Sequence, residues 1–198
     1  MLVAIVSLAL VVFASESSHA SCLRRFGLFV HAFDIFRTNI QGYSIRDAAE
    51  LVASMKLLES MPAIVCLGET FLDKGTENIE LEGYVVVARR DRDDGRICGG
   101  VIAFARCDVA ANVTQLHRSA EAERFWLVIH TDQGPYLLGV WYRPPDPGEV
   151  QTIFTLEAEW FEHCNAALGT VIVGDINVHH IGWLRYSARN SCKGASRL

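Results

Sequence analysis

The sequence lacks an excess of positive charge. Its 18 Lys and Arg residues are outnumbered by 23 Asp and Glu residues, which gives a formal net charge of −5. Without an overall basic field, the composition gives no support to tight non-specific binding of nucleic acid. Low-complexity linkers and internal repeats are also missing. The 198 residues, of which 51% are hydrophobic, therefore predict one ordered domain with a substantial core.

The six cysteines lack the spacing of a zinc site or of a disulfide framework. No Cys-x-x-Cys pair and no Cys/His spacing typical of a zinc site occurs in the sequence. Cys66 lies inside an apolar run, and Cys98 adjoins two glycines. We therefore expect free thiols rather than bridges or metal ligands.

The first 22 residues carry no Lys or Arg before their apolar run. The run MLVAIVSLALVVFA leads into a Ser-rich stretch with a small-x-small pattern at 18–20, as in a secretory signal peptide. Because the run is shorter than the roughly 20 residues of a membrane span, no stable membrane insertion is expected. A signal-like leader and a spurious N-terminal extension both stay open, so the location stays open between export and the nucleus or cytoplasm.

Residues 28–198 form the predicted domain, in which apolar runs alternate with turn residues. The runs predict strands at 28–36, 63–67, 84–88, 99–105, 124–130, 136–142 and 170–174. Helical periodicity predicts a helix at 45–60, capped by Ser44, and a second helix at 149–168. A strand–helix–strand start followed by a strand-rich middle favours an α/β sandwich of two sheets with helices outside.

The segment VIVGDINVHHIGW, residues 171–183, carries the strongest functional signal. Its apolar strand stops at a Gly-Asp-x-Asn turn, which brings Asp175 and Asn177 to the surface. The period of two in extended chain directs both side chains to the same side. A carboxylate and an amide at the end of a strand suit a phosphate or metal site, although Gly-Asp turns also form for local reasons.

Three further loops follow apolar strands, and each presents one polar group. Asn39 lies in TNIQG, Glu69 lies in CLGETFLD, and Tyr142 lies in WYRPP. Each group also has a structural interpretation: Glu69 could cap its turn, Asn39 suits a turn before Gly42, and Tyr142 could pack on the prolines that follow it.

Taken in this order and spacing, the four loops resemble those of the endonuclease/exonuclease/phosphatase family, whose fold is deoxyribonuclease-I-like. The resemblance is closer to the endonuclease domain of non-LTR retrotransposons. In that domain the Gly-Asp-x-Asn turn continues as Asn-x-His-His-x-x-Trp, which matches Asn177, His179, His180 and Trp183. The resemblance implies a four-layer α/β sandwich, DNA as substrate, and Mg²⁺ (or Mn²⁺) as the metal, with no small-molecule cofactor.

The resemblance also implies a role for each matching residue. Glu69 would bind the divalent metal, and Asn39 would hold the metal-side network or the phosphate. Tyr142 would lie near the scissile phosphate. Asp175 would orient or deprotonate the attacking water, and Asn177 would donate to a non-bridging oxygen. Such chemistry depends mainly on positioning and electrostatic stabilisation.

Other conspicuous groups are predicted to be structural. His179 and His180 have no partner ligands nearby in the sequence, and adjacent residues point in different directions. The remaining structural predictions are a solvated loop at Asp91, Asp93 and Asp94, and core or rim aromatics at Trp126, Trp141 and Trp160.

The sequence departs from the family after Trp183. Members continue with another Asp and a Ser-Asp-His segment, whereas residues 185–198 contain neither His nor Asp. The expectation is a domain that is incomplete at its C-terminus, with weak or no activity and with self-association through the incomplete second sheet. The alternatives are a non-catalytic remnant of a mobile element, or a secreted nuclease or phosphodiesterase if the leader is genuine.

Overall fold

The computed structural model describes residues 34–58, 60–92, 98–120, 122–143 and 151–175, without the side chains of 151–153. Several sequence-based predictions lie outside the described residues. These are the leader at 1–22, the strand segment 28–33, Asp93, Asp94, Asn177, His179, His180 and Trp183.

The described chain contains eight strands and two α-helices. The strands are β1 (Ile35–Asn39), β2 (Ile64–Gly68), β3 (Tyr84–Arg90), β4 (Val101–Arg106), β5 (Val113–Arg118), β6 (Glu123–Thr131), β7 (Gly134–Tyr142) and β8 (Thr170–Asp175). The helices are α1 (Ile45–Met55) and α2 (Gln151–His163), and short 3₁₀ turns lie at Ala110–Asn112 and Cys164–Ala166.

The strands form two four-stranded mixed sheets. The first sheet has the order β1-β2-β4-β3, and the second has the order β5-β6-β7-β8. Each sheet contains one parallel pair, β1 with β2 and β7 with β8, and its other pairs are antiparallel. The carboxyl ends of each parallel pair lie side by side, which brings the residues after those strands together.

The main core lies between the two sheets. Cys66 and Ala103 of the first sheet are fully buried against Phe125, Leu127 and Leu138 of the second sheet. Such close packing of two apolar sheet faces is the chief source of stability for a sandwich. The described cysteines, Cys66, Cys98, Cys107 and Cys164, form no disulfide with one another.

Each helix covers the outer face of one sheet. The α1 residues Ala48, Val52 and Met55 share a buried cluster with Val65 and Phe104. Their spacing of three and four places them on one helical face.

The α2 layer is built around tryptophans. Leu156 packs with Trp126 and Trp141, and Trp160 packs at the margin of the same cluster. The prediction that these tryptophans are core or rim aromatics is confirmed. Helix, sheet, sheet and helix make four layers, and the predicted α/β sandwich is confirmed.

Helix α1 ends earlier than predicted. The Ser44 side chain caps it as expected, accepting from the Asp47 N–H. The helix stops at Met55 instead of residue 60, because Leu57 and Leu58 are 88% and 47% exposed and gain no packing that would extend it. Helix α2 is likewise shorter than predicted and ends at 163 in a 3₁₀ turn.

Three other sequence predictions need correction. Strand β1 continues to Asn39 because its parallel pairing with β2 continues there, so Asn39 is the last strand residue and not a loop residue. Strand β5 was missed because it is a half-exposed edge strand with little apolar alternation. Asp91 is not solvated, since it is only 11% exposed and pairs with Arg89 at 2.6 Å. Among the described helices, none is long and apolar enough to cross a membrane.

Candidate active site

The polar residues predicted to form the site lie at the carboxyl ends of the two parallel strand pairs. Asn39 and Gly68 lie opposite each other at the ends of β1 and β2, and Glu69 comes next. Tyr142 and Asp175 lie opposite each other at the ends of β7 and β8. The first pair belongs to one sheet and the second pair to the other, so any contact between them spans the sandwich.

The Asn39 amide makes that contact. Its Nδ2 lies 3.4 Å from Glu69 Oε1 and 3.2 Å from Asp175 Oδ2. Two carboxylates from different sheets thus lie within hydrogen-bond distance of one nitrogen, although Asp175 is 136 residues from Asn39 in the sequence. The structure therefore brings together Asn39, Glu69 and Asp175, whose catalytic and metal-binding roles stay predictions.

Arg37 is part of this cluster and was missed from the sequence. Its guanidinium donates to Asn39 Oδ1 at 2.6 Å, which fixes the amide with its NH₂ group towards the carboxylates. Burial lowers the pKa of Arg37, while the negative charges of Asp175 and Glu69 oppose that change. The signal available in the sequence was the spacing of two from Asn39, which puts both side chains on one strand face.

Gly68 leaves the space that the Asn39 side chain occupies. A Cβ atom at Gly68 would lie 2.4 Å from Asn39 Oδ1 and 3.4 Å from an Arg37 terminal nitrogen. Any larger residue would therefore collide with the amide. The glycine in the sequence Leu-Gly-Glu is required by close approach, not by the turn alone.

Backbone hydrogen bonds fix the turn that presents Glu69. Glu69 adopts a positive φ of 53°, an uncommon conformation for a residue with a side chain. Its carbonyl accepts from the Gly42 N–H at 2.8 Å, and the Thr70 carbonyl accepts from the Tyr43 N–H at 2.8 Å. The Thr70 N–H donates to the Gly100 carbonyl at 3.3 Å. These bonds on both sides hold the turn, so the direction of Glu69 is set by the loops at 40–43 and 99–100.

A buried ion pair supports that second loop. The Glu123 carboxylate accepts from the Gly100 N–H and pairs with Arg92 at 3.1 Å. Both side chains are only 8% exposed. Sequence reasoning missed this pair, because Glu123 and Arg92 lie in polar stretches that resemble ordinary solvated loops.

Tyr142 lies at the same edge and stays neutral at physiological pH. Burial, and to a lesser extent the negative charges of Glu69, Glu123 and Asp175, together raise its pKa to about 12, while Arg92 opposes them. A neutral phenol near carboxylates can donate a hydrogen bond to an anionic group. Tyr142 is thus chemically suited to its predicted place beside a phosphate.

The donor set fits a magnesium ion bound largely through water. Glu69 and Asp175 supply anionic oxygens, and Mg²⁺ is usually held by one or two carboxylates with several retained waters. No group of three acidic, His or Cys residues suited to a metal occurs in the part of the chain that the structure describes. The Asn39 Oδ1 atom accepts from Arg37. A metal bound by Asn39 would need that same oxygen, so the role of Asn39 as a metal ligand stays a prediction.

The fold is a deoxyribonuclease-I-like α/β sandwich. The chain is similar to the endonuclease domain of TRAS1, a telomere-specific non-LTR retrotransposon, with a TM-score of 0.54 at 15% sequence identity. The match covers 76% of this chain and 62% of that one, so this chain spans less than two thirds of that domain's length. At such low identity the likeness shows the fold and leaves the activity to be argued from the site.

Two structures of D. rerio TDP2 are similar at a lower level. The first, humanized by 14 mutations, gives a TM-score of 0.48 at 15% identity and covers 78% of this chain and 66% of its own. The second, complexed with a single-strand DNA product, gives 0.45 at 17% identity and covers 74% and 61%. No protein-family profile matches the sequence, and no curated protein matches it.

Proposed function

We propose that this chain is a metal-dependent phosphodiester hydrolase-like domain, of the DNA endonuclease type found in retrotransposons. The observation that carries the proposal is the Asn39 amide, which links Glu69 and Asp175 across the two sheets. Two carboxylates that converge on one amide at the strand ends of this fold form a site for a divalent cation and a phosphate. A turn with a purely structural role needs only one of these carboxylates.

Glu69 is the proposed metal ligand, with Mg²⁺ or Mn²⁺ as the ion. When bound, the ion would neutralise charge on the oxygens of the phosphoryl group during transfer. The strained, doubly supported turn at Glu69 suits this role, because a metal ligand must keep its direction when the ion and substrate exchange.

Asp175, Tyr142 and Asn39 complete the proposed mechanism. Asp175 orients the attacking water and accepts its proton, and the neutral Tyr142 hydroxyl donates to a phosphate oxygen. Asn39 keeps the two carboxylates at a fixed separation. Asn177, the proposed donor to a non-bridging oxygen, lies outside the described residues. Since the chain carries a net charge of −5, DNA binding would depend on the metal and on local donors.

Nicking of supercoiled plasmid DNA tests this function. The 198 residues contain no Ser-Asp-His segment, and a site without one such preorganised donor should react on the order of 10² to 10³ more slowly. We expect slow nicking with Mg²⁺ or Mn²⁺ that EDTA abolishes and that Asp175→Asn removes. Asp132→Asn, which changes an exposed Asp after β6, is the matched control and should nick like the unmodified chain.

An extended chain gives the second arm of that experiment. Appending a C-terminal segment with Ser-Asp-His should raise the rate by about 10² or more, if the rest of the site is sound. Nicking that survives Asp175→Asn would contradict the proposed site. An extended chain that folds but never nicks would contradict the proposed function.

A further inference from the structure

A fixed positive charge lies inside the acidic site. Ile35 packs against the core between the sheets, and the strand period of two places Arg37 and Asn39 on that same inner face. Arg37 is half-buried there and donates to Asn39 Oδ1 at 2.6 Å. Its guanidinium interacts electrostatically with both carboxylates of the site. A site built only to attract a divalent cation would gain nothing from a cation of its own.

We propose that the Arg37 guanidinium is a permanent positive charge in this site, and that Arg37 holds the Asn39 amide as a hydrogen-bond donor and weakens the binding of Mg²⁺. This inference rests on the proposed function and identifies what tunes the metal site. Arg37 acts through charge and through Asn39, so it is a positioning residue with no assigned contact to substrate.

Two physical effects act in the same direction. The guanidinium repels a divalent ion that approaches Glu69 and Asp175. It also engages the Asn39 oxygen, which would otherwise be available as a hard metal ligand. At an effective dielectric constant of about 20, one unit charge next to the metal site changes the affinity for Mg²⁺ by about tenfold or more. Without the metal, the same charge stabilises two carboxylates that would otherwise repel each other.

The test compares Mg²⁺ binding by titration calorimetry in the full chain and in Arg37→Met, which removes the charge but keeps an apolar stem. We expect Arg37→Met to bind Mg²⁺ about tenfold or more tightly than the unmodified chain. In EDTA the same variant should melt at a lower temperature. Arg37→Lys, which keeps the charge, should bind Mg²⁺ like the unmodified chain.

Two further variants keep the test decisive. Arg46→Met, which removes an 87% exposed charge on α1, is the matched control and should change neither the Mg²⁺ affinity nor the melting temperature in EDTA. Arg37→Gln retains a donor for Asn39 and replaces Arg37→Met if that variant does not fold. Loss of a purely structural residue would weaken metal binding, so tighter binding is specific to the proposed role.

The outcomes separate this inference from the function on which it rests. Equal Mg²⁺ affinity in the unmodified chain and the neutral variants, lost in Glu69→Gln, would overturn the role of Arg37 and leave the metal site standing. Absence of Mg²⁺ binding in all variants would overturn the metal site and the role of Arg37 together.

Discussion

The two halves of the candidate site are fixed by different means. In the first sheet, the Asn39 amide is oriented by the Arg37 side chain, and Glu69 lies beyond the strand end on a turn held by hydrogen bonds to neighbouring loops. In the second sheet, Tyr142 and Asp175 are positioned by paired backbone at the ends of β7 and β8. The first half can therefore change geometry while the fold survives, whereas the second half changes only if the sheet changes.

The second half depends on an unusually close backbone approach. Gly174 has a φ of 150°, and a Cβ atom there would lie 1.7 Å from the Trp141 carbonyl oxygen. Just beyond it, the Arg143 N–H donates to the Asp175 carbonyl at 2.8 Å. The direction of Asp175 thus follows from the parallel pairing of β8 with β7.

The largest expected effect is that of Gly174→Ala. Because the clash is with backbone of the neighbouring strand, neither strand can yield without losing ladder hydrogen bonds. We expect the free energy of unfolding to fall by about 4 kcal/mol or more, measured by urea denaturation. Gly83→Ala is the control, since Gly83 also has a positive φ but nothing lies within 4 Å of its Cβ position.

That control should lose about 1–2 kcal/mol from backbone strain alone. Equal losses in the two variants would show that the contact of Gly174 with Trp141 is unimportant, and the claimed rigidity of the second half would be wrong.

Gly68→Ala is expected to act on the site more than on the fold. The new Cβ would displace the Asn39 amide, which is a side chain and can move at a cost of about 1–3 kcal/mol. Mg²⁺ affinity should fall about tenfold by calorimetry, because the amide leaves its place between the two carboxylates while the positive charge of Arg37 remains.

Gly75→Ala serves as its control, because the nearest contact of that Cβ is an ordinary 3.4 Å to exposed Asp73. If Gly68→Ala unfolds the chain as Gly174→Ala does, the two halves of the site do not differ in the way described.

The smallest expected effect concerns Tyr142 at alkaline pH. Its folded pKa of about 12, raised first by burial, exceeds the ordinary value of 10, so the unfolded chain ionises first. The contribution of Tyr142 to the free energy of unfolding is fully present below pH 10 and is lost as the pH rises from about 10 to 12. Tyr142→Phe should show a shallower fall over that window. The difference in absorbance between the unmodified chain and Tyr142→Phe, followed as the pH is raised, should reveal one tyrosine that ionises near pH 12. Ionisation near pH 10 would show that Tyr142 does not lie in buried surroundings near the carboxylates.

The same contrast explains what the sequence could and could not predict. Strands with strong apolar runs, such as β2, β6 and β7, were predicted because burial on both faces leaves a clear signal. The polar groups at the carboxyl ends of the parallel strands were predicted because Asn39, Glu69, Tyr142 and Asp175 follow or end such runs, although Asn39 was expected in a loop. Edge strand β5 carries no comparable signal, since its side chains remain half-exposed.

Arg37 and the ion pair of Glu123 with Arg92 could not be predicted. Charged residues in a sequence usually mark solvated surface, and only tertiary pairing shows that Arg37 is half-buried and that Glu123 and Arg92 are buried. The spacing of Arg37 from Asn39 put both on one face, but it did not show that this face is the interior of the sandwich.

Glu69 is the residue that we propose holds the divalent metal in the first half of the site. Titration calorimetry of Mg²⁺ into the unmodified chain and into Glu69→Gln tests it most directly, with exposed Glu77→Gln as the matched control. Glu69→Gln should bind Mg²⁺ at least about tenfold more weakly, since an anionic ligand is replaced by a neutral one of the same shape. Glu77→Gln should bind like the unmodified chain. Unchanged Mg²⁺ affinity in Glu69→Gln would show that Glu69 is not the metal ligand and that the metal is held elsewhere.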